Sequence, residues 1–207
     1  MSVFLDCFWE VCDIAAFLFF SFPLSLVLFS KQVFTIGGLS FMSTQYGWAS
    51  THISEYEIVL ANGTVTTATK DKNADLHRAL QASGGIMGVV TRFTLNTFPL
   101  GQIWGGQRFY SAAQTPKMLA AIRDFTEHYP DPRAAIIATS ETTLYGALGL
   151  WVVFFFYNGP VVPQNVFANF SKISHISSNT KTQSFSSFVY DNNKFSLNGS
   201  YYAVSTS

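Results

Sequence analysis

Apolar and polar residues alternate over residues 55–67, with Asn62-Gly63 at the centre of the run. A period of two marks a half-buried strand, and Asn-Gly supplies both positive-φ positions of a type I′ turn, so this segment is predicted as a β-hairpin. The period then lengthens. Over residues 75–82 it places Leu76, Ala79 and Leu80 on one helical face, with Asn73 as the cap and Gly84 and Gly85 as the stop. Residues 88–98 are β-branched and aromatic, read as a strand, and are broken by Pro99 and Gly101.

Past that break the order of elements changes. Residues 103–110 read as a strand, and Thr115-Pro116 opens a helix through Tyr129 with Met118, Leu119, Ile122 and Phe125 inward and Pro130 as the stop. Strands follow at residues 134–139 and 148–157, the second ended by Asn158-Gly159-Pro160. Beyond Pro163 comes a short helix to about Phe170, then a run rich in Ser, Asn and Thr, and a last aromatic pair at Tyr201-Tyr202. The fold class is α+β, a helix covering one face of a mainly antiparallel sheet, with a domain boundary near Pro99 to Gly101. The chain therefore divides into residues 1–34, 35–101 and 102–207.

Residues 14–29 are apolar almost throughout, but the run is shorter than the ~20 residues a bilayer span needs. Asp6, Glu10 and Asp13 stand where a secretory signal carries cations, and Lys31 lies on the far side. Three readings stand side by side: a signal anchor that brings membrane contact, a buried apolar element, and sequence foreign to the fold. Localisation is left open by them. Twelve Lys+Arg balance twelve Asp+Glu, which leaves no basic field for nucleic acid. Cys7 and Cys12 match no zinc spacing, and no metal site is expected. Three Asn-x-Ser/Thr sequons, at Asn62, Asn169 and Asn198, matter if the chain enters the secretory pathway.

Two glycine clusters flank the hairpin, Gly37-Gly38 ahead of Ser40 and Gly84-Gly85 with Gly88 behind it. Residues without a Cβ allow unusual dihedrals and let bare N–H groups approach a large anionic cofactor. His52, His77, His128 and His175 are scattered, with no Ser, Cys or Asp at a triad spacing, and the catalytic residues are unknown at this level. His77 and His128 are read as solvated helix residues. Tyr46, Trp48 and Trp104 are read as core-filling aromatics, with flavin stacking as the alternative.

The blocks Gly37-Gly38-Leu39-Ser40-Phe41, Tyr46-Gly47-Trp48-Ala49, Val59-Leu60-Ala61-Asn62-Gly63, Gly88-Val89-Val90-Thr91-Arg92-Phe93 and Phe98-Pro99 with Ile103-Trp104-Gly105-Gly106 occur in one order. In that order the chain resembles fungal berberine-bridge-enzyme-like FAD-linked oxidoreductases, of the vanillyl-alcohol oxidase and p-cresol methylhydroxylase fold. The resemblance implies the second half of an FAD-binding domain, followed by the start of an antiparallel-sheet substrate domain with covering helices, truncated at both ends. It implies FAD as cofactor and a small organic molecule as substrate. Gly37, Gly38 and Ser40 would then lie along the flavin side, and Gly84, Gly88, Val89 and Val90 along the ribityl and adenine side. The alternative is a truncated, non-catalytic fragment of such an enzyme, tethered to a membrane through residues 14–29.

The departures from that pattern are local and one is large. Thr35-Ile36 precede only two glycines, Thr51-His52 replace an acid-Asn pair, Ala82-Ser83-Gly84 replace three glycines, and Ile86-Met87 replace a polar-Phe pair. Nothing in residues 1–34 resembles the family's Arg-x-x-Gly-His loop for the pyrophosphate.

Overall fold

In the computed structural model, residues 37–83, 85–128, 131–143 and 148–193 are described, and all structural statements concern these. The apolar N-terminal run, Gly84, Tyr129, Pro130, Asn198 and Tyr201-Tyr202 lie outside them. The chain divides into two compact units, the first ending at Pro99 and the second running from Leu100 to Asn192.

The first unit is built on one antiparallel three-stranded sheet, β1 (Ile53–Val59), β2 (Val65–Thr69) and β3 (Val89–Leu95), with β1 in the centre. Ahead of β1 come the short helix α1 (Ser43–Tyr46) and a 3-10 turn (Ala49–His52). Helix α2 (Ala74–Leu80) follows β2. Ile53, Tyr56 and Ile58 of β1 are buried with Ala68, Leu80 and Val90. The three-residue step from Ile53 to Tyr56 follows from a register shift in the β1–β3 pairing between Ile53 and Glu55, where β1 carries one extra residue; a second shift, between Glu57 and Ile58, puts the extra residue in β3. An extra residue of this kind moves the inward face of its own strand by one.

The hairpin of the sequence reading is present, but its turn is of another kind. Gly63 has φ +80° and Asn62 is not among the positive-φ residues, so a type I′ turn is excluded. Instead the Leu60 carbonyl accepts from the Gly63 N–H at 2.9 Å and the Leu60 N–H donates to the Thr64 carbonyl at 2.9 Å. That is a three-residue loop, with glycine in the left-handed position next to the strand.

Asn73 does occupy the N-cap position of α2, in a left-handed conformation (φ 54°), but its side chain does not cap the helix. It donates to the Thr67 carbonyl at 2.8 Å and thereby ties the helix start to β2. His77, read from sequence as solvated, is buried. Its Nε2 lies 3.0 Å from the Ile53 carbonyl, which can only accept, so Nε2 carries the proton and donates. The helix is short and docks closely, which turns a charged-looking position inward. β3 stops at Leu95 rather than Phe98, because the Asn96 N–H turns to the His52 carbonyl and Phe98 stacks on Tyr46 with ring centroids 4.1 Å apart.

The second unit pairs β4 (Ile103–Ser111), β5 (Ala134–Thr143) and β6 (Leu148–Tyr157) in the order β5-β6-β4, all antiparallel. β7 (Ser177–Ser178) and β8 (Lys181–Gln183) pair with the outer side of β4. Helix α3 (Thr115–Glu127) covers one face, joined there by α4 (Ala168–Ser171), and α5 (Phe185–Asn193) packs on the other. The central strand β6 is buried on both faces from Trp151 to Tyr157, which is why its sequence is continuously apolar instead of alternating. On the α3 face, Phe155 packs edge-on against Phe167 and Phe170. On the other, Phe156 meets Phe185 and Phe188.

Leu119 does not face inward as the sequence reading has it: it is 53% exposed. Met118, Ala121 and Phe125 form the buried stripe. Leu119 is one residue on from Met118, which rotates it about 100° away from that stripe.

Two buried polar features stand out in this apolar unit. Gln107 and Asn192 are both buried, and the Gln107 Nε2 donates to the Asn192 Oδ1 at 2.8 Å, joining β4 to α5. At the start of β5, Asp131 forms a salt bridge of 2.8 Å with Arg133 and accepts from the Tyr157 hydroxyl at 3.0 Å. The Arg133 guanidinium also lies 5.0 Å from the Tyr157 ring centroid. The Arg133 hydrogen bond is the main cause that holds the Asp131 carboxyl down at about 2, while burial raises the Tyr157 phenol. Burial likewise raises Tyr56 and Tyr110, so these phenols keep their protons at neutral pH.

Two stability measurements test these contacts. A carboxyl whose folded pKa is depressed adds stability above its ordinary value and loses it as pH falls. Denaturant midpoints should therefore drop between the ordinary 3.8 and about 2, and Asp131→Asn should flatten that slope. His77→Leu should cost about 1–3 kcal/mol in equilibrium unfolding, because the Ile53 carbonyl is left buried without a partner.

Candidate functional site

The two glycine clusters are fixed by β1, and each glycine can be assigned a local reason. Gly37 and Gly38 have φ +113° and +74°. Their carbonyls accept from the Ser50 N–H at 2.8 Å and the Ala49 N–H at 2.9 Å, which pins this turn to the 3-10 turn that enters β1. A Cβ on Gly37 would sit 2.4 Å from Cε3 of Trp48, so the indole closes directly over bare backbone. Ser40 is engaged locally: its N–H donates to Ser43 Oγ at 2.8 Å and its Oγ accepts from the Met42 N–H at 3.2 Å. The N–H groups of Gly38 and Leu39 have no partner among the described residues.

The second cluster belongs to the loop of residues 81–88. Its first residue, Gln81, donates from Nε2 to the Ser50 carbonyl at 3.3 Å, beside the first cluster. Its last, Gly88, has φ +145° and packs against the far end of β1, where a Cβ would stand 2.4 Å from the Val59 carbonyl oxygen. Six steps of a strand separate Ile53 from Val59, about 20 Å at ~3.3 Å per residue. The loop thus spans β1 from end to end. No single phosphate can touch both glycine turns.

Between those ends the loop offers a mixed surface. Ser83 Oγ is buried and has no hydrogen-bond partner among the described residues. Ile86 and Met87 are 83% and 39% exposed, and Leu39, Trp48 and Val89 are exposed as well. Val89 and Val90 open β3 opposite Val59 and Ile58, so Val90 points into the core while Val89 points out. Sequence reasoning treated Ser83 only as a missing glycine. Its hydroxyl became visible as a site feature once burial and the absence of a partner could be seen together.

Trp48, read from sequence as core-filling, is instead 51% exposed, because it closes over the outer side of Gly37; the other aromatics and the histidines take structural places. Trp104 stacks on Phe167 at 5.7 Å, and Tyr46 is covered by Phe98. His52 Nε2 lies 2.5 Å from the Tyr46 carbonyl, and the imidazole meets Phe98 edge-on. His128 is exposed on α3, with Nδ1 3.2 Å from Asp124. His175 lies edge-on to Tyr110 at 6.2 Å. Among the described residues no group of three or more His, Cys, Asp or Glu could hold a metal ion, and no helix is long and apolar enough to cross a membrane.

This α+β arrangement is that of the vanillyl-alcohol oxidase-type flavoproteins. The structure resembles 6-hydroxy-D-nicotine oxidase of Arthrobacter nicotinovorans with a TM-score of 0.70 over 83% of this chain and 38% of that one, at 19% identity. It resembles BBE-like 1 of Physcomitrella patens with a TM-score of 0.62 over 74% and 33%, at 21% identity. By sequence the chain is 39% identical over 169 residues to an uncharacterized FAD-linked oxidoreductase of Arthroderma benhamiae, and 33% identical over 156 residues to the FAD-dependent monooxygenase drtC of Aspergillus calidoustus. No family model matches. By sequence the chain is thus a relative of FAD-linked oxidoreductases and FAD-dependent monooxygenases, and its fold is that of BBE-like and VAO-type flavoproteins. It covers 33% and 30% of those two relatives, so it spans about a third of their length.

The packing of Gly88 gives a direct test of the geometry. Gly88→Ala must push the β1 backbone away as well as adopt an unfavourable φ, and should cost about 2–4 kcal/mol in chemical unfolding. Gly63→Ala, with nothing within 4 Å of its Cβ position, bears only the dihedral cost and should lose less.

Proposed function

We propose that residues 35–101 form part of the FAD-binding domain of an FAD-dependent oxidoreductase, and residues 102–207 part of its substrate domain. The observation that carries this reading is the 81–88 loop: two positive-φ glycines and a buried hydroxyl without a partner, strung along the full length of β1. The residues fit such a cofactor. A dinucleotide is long, anionic along its middle and aromatic at both ends. The loop offers bare backbone between exposed apolar side chains, with the buried Ser83 hydroxyl unpartnered among the described residues.

In this reading the N–H groups of Gly38 and Leu39 hold the cofactor beside the first turn, and Ser83 Oγ donates to one of its oxygens. Gly84, Gly88, Val89 and Val90 supply the bare or outward backbone along the ribityl and adenine side. Gly37 and Ser40 act one step back: Gly37 gives Trp48 its seat, and Ser40 shapes the start of α1. The bound flavin supplies the two-electron oxidation of a small organic molecule, and the protein supplies binding and orientation. Carbohydrate oxidase of Microdochium nivale, a fold neighbour at TM-score 0.59, was solved with a substrate analogue, which is consistent with a small-molecule substrate here.

A second reading, a chain that keeps the fold without turnover, is favoured by Trp48, whose indole fills the space over Gly37. Titration with FAD separates the two. The purified chain should quench flavin fluorescence with saturation, and Ser83→Ala should weaken binding about tenfold, the equivalent of one lost hydrogen bond to a charged group. Absence of saturable quenching by the unsubstituted chain overturns the FAD assignment.

A further inference from the structure

Two sequons lie among the described residues, and the fold treats them in opposite ways. Asn62-Gly63-Thr64 forms the tip of the β1–β2 hairpin, and all three residues are exposed. Asn62 Oδ1 accepts from the Thr64 N–H at 3.0 Å, which leaves the Asn62 Nδ2 and the Thr64 hydroxyl without partners among the described residues. Space around the tip is open: a Cβ built on Gly63 meets nothing within 4 Å. Asn169-Phe170-Ser171 lies within α4, and its polar atoms are taken. Asn169 Nδ2 donates to Asp124 Oδ2 at 2.5 Å, its Oδ1 accepts from Lys172 Nζ at 3.0 Å, and Ser171 Oγ donates to the Phe167 carbonyl at 3.1 Å. Phe170 between them is 1% exposed and belongs to the core.

We infer that Asn62 is an N-glycosylation site of this chain and that Asn169 is not. The reactive atom is the amide nitrogen, and a glycan there must find both room and an uncommitted Nδ2. At Asn62 both are present. At Asn169 a sugar on Nδ2 would crowd the contact to Asp124 that ties α4 to α3. In the transfer, Nδ2 forms a bond to C1 of an oligosaccharide carried on a lipid diphosphate. The C1–O bond breaks, the lipid diphosphate leaves, and the Nδ2 proton passes to the transferase. Transfer requires that the segment carrying Asn62 reach the lumenal enzyme, and the test below reads that directly.

The test is site-resolved mass spectrometry on the full chain expressed in yeast, with and without peptide-N-glycosidase in heavy-oxygen water. The peptide holding Asn62 should carry the glycan and the isotope mark, and the peptide holding Asn169 should carry neither. Thr64→Ala should reduce occupancy at Asn62 to background, and Thr64→Ser should retain it. An unmodified Asn62 in the unsubstituted chain overturns the inference, whether or not the chain has entered the lumen. So does a glycan on Asn169.

Discussion

The approach of Gly88 to the Val59 carbonyl is the constraint on which the first unit's site depends. A Cβ there would lie 2.4 Å from the oxygen, so β3 can begin beside the end of β1 only with bare backbone at that point. Once β3 is seated, the 81–88 loop must bridge from α2 back along β1, and its exposed side chains are carried out to solvent. The opposite end is fixed as firmly. His77 donates to the Ile53 carbonyl, and the Gly37 and Gly38 carbonyls take the first N–H groups of the 3-10 turn and its neighbour. Glycine here serves packing and chain direction first, and whatever ligand approach follows is a result of that geometry.

Much of this architecture could be read from residue order, because the signals were local. The period-two run around Asn62-Gly63 gave the hairpin, and the apolar run ending at Asn158-Gly159-Pro160 gave β6 with the bounds observed. What stayed hidden was set by tertiary neighbours. The turn type depended on a loop one residue longer than Asn-Gly alone specifies. The side chain of His77 found a carbonyl 24 residues earlier in the chain. Ser83 looked like a flaw in a glycine pattern, since burial and the lack of a partner have no sequence signature. The large departure upstream, in residues 1–34, falls outside the described structure.

The second unit draws its stability from a different source. β6 buries aromatic side chains on both faces, and the bare backbone of Gly105 lets the Phe188 ring come within 2.8 Å of where a Cβ would be. Apolar surface of this kind contributes about 25 cal/mol per Å² buried but has little direction of its own. Aromatic faces can slide.

That lack of direction gives the amide bridge between Gln107 and Asn192 its importance, beside the α5 contacts of Asp191 with Lys181 and of Ser187 with Gln183. Sliding α5 by one turn would keep phenylalanines against the sheet but strand two carboxamides in hydrocarbon, at about 1–3 kcal/mol for each group left unpaired. The pair thus works as a key in a greased lock. It adds little holding force, yet together with those two contacts it admits one registry of helix on sheet and rejects its neighbours.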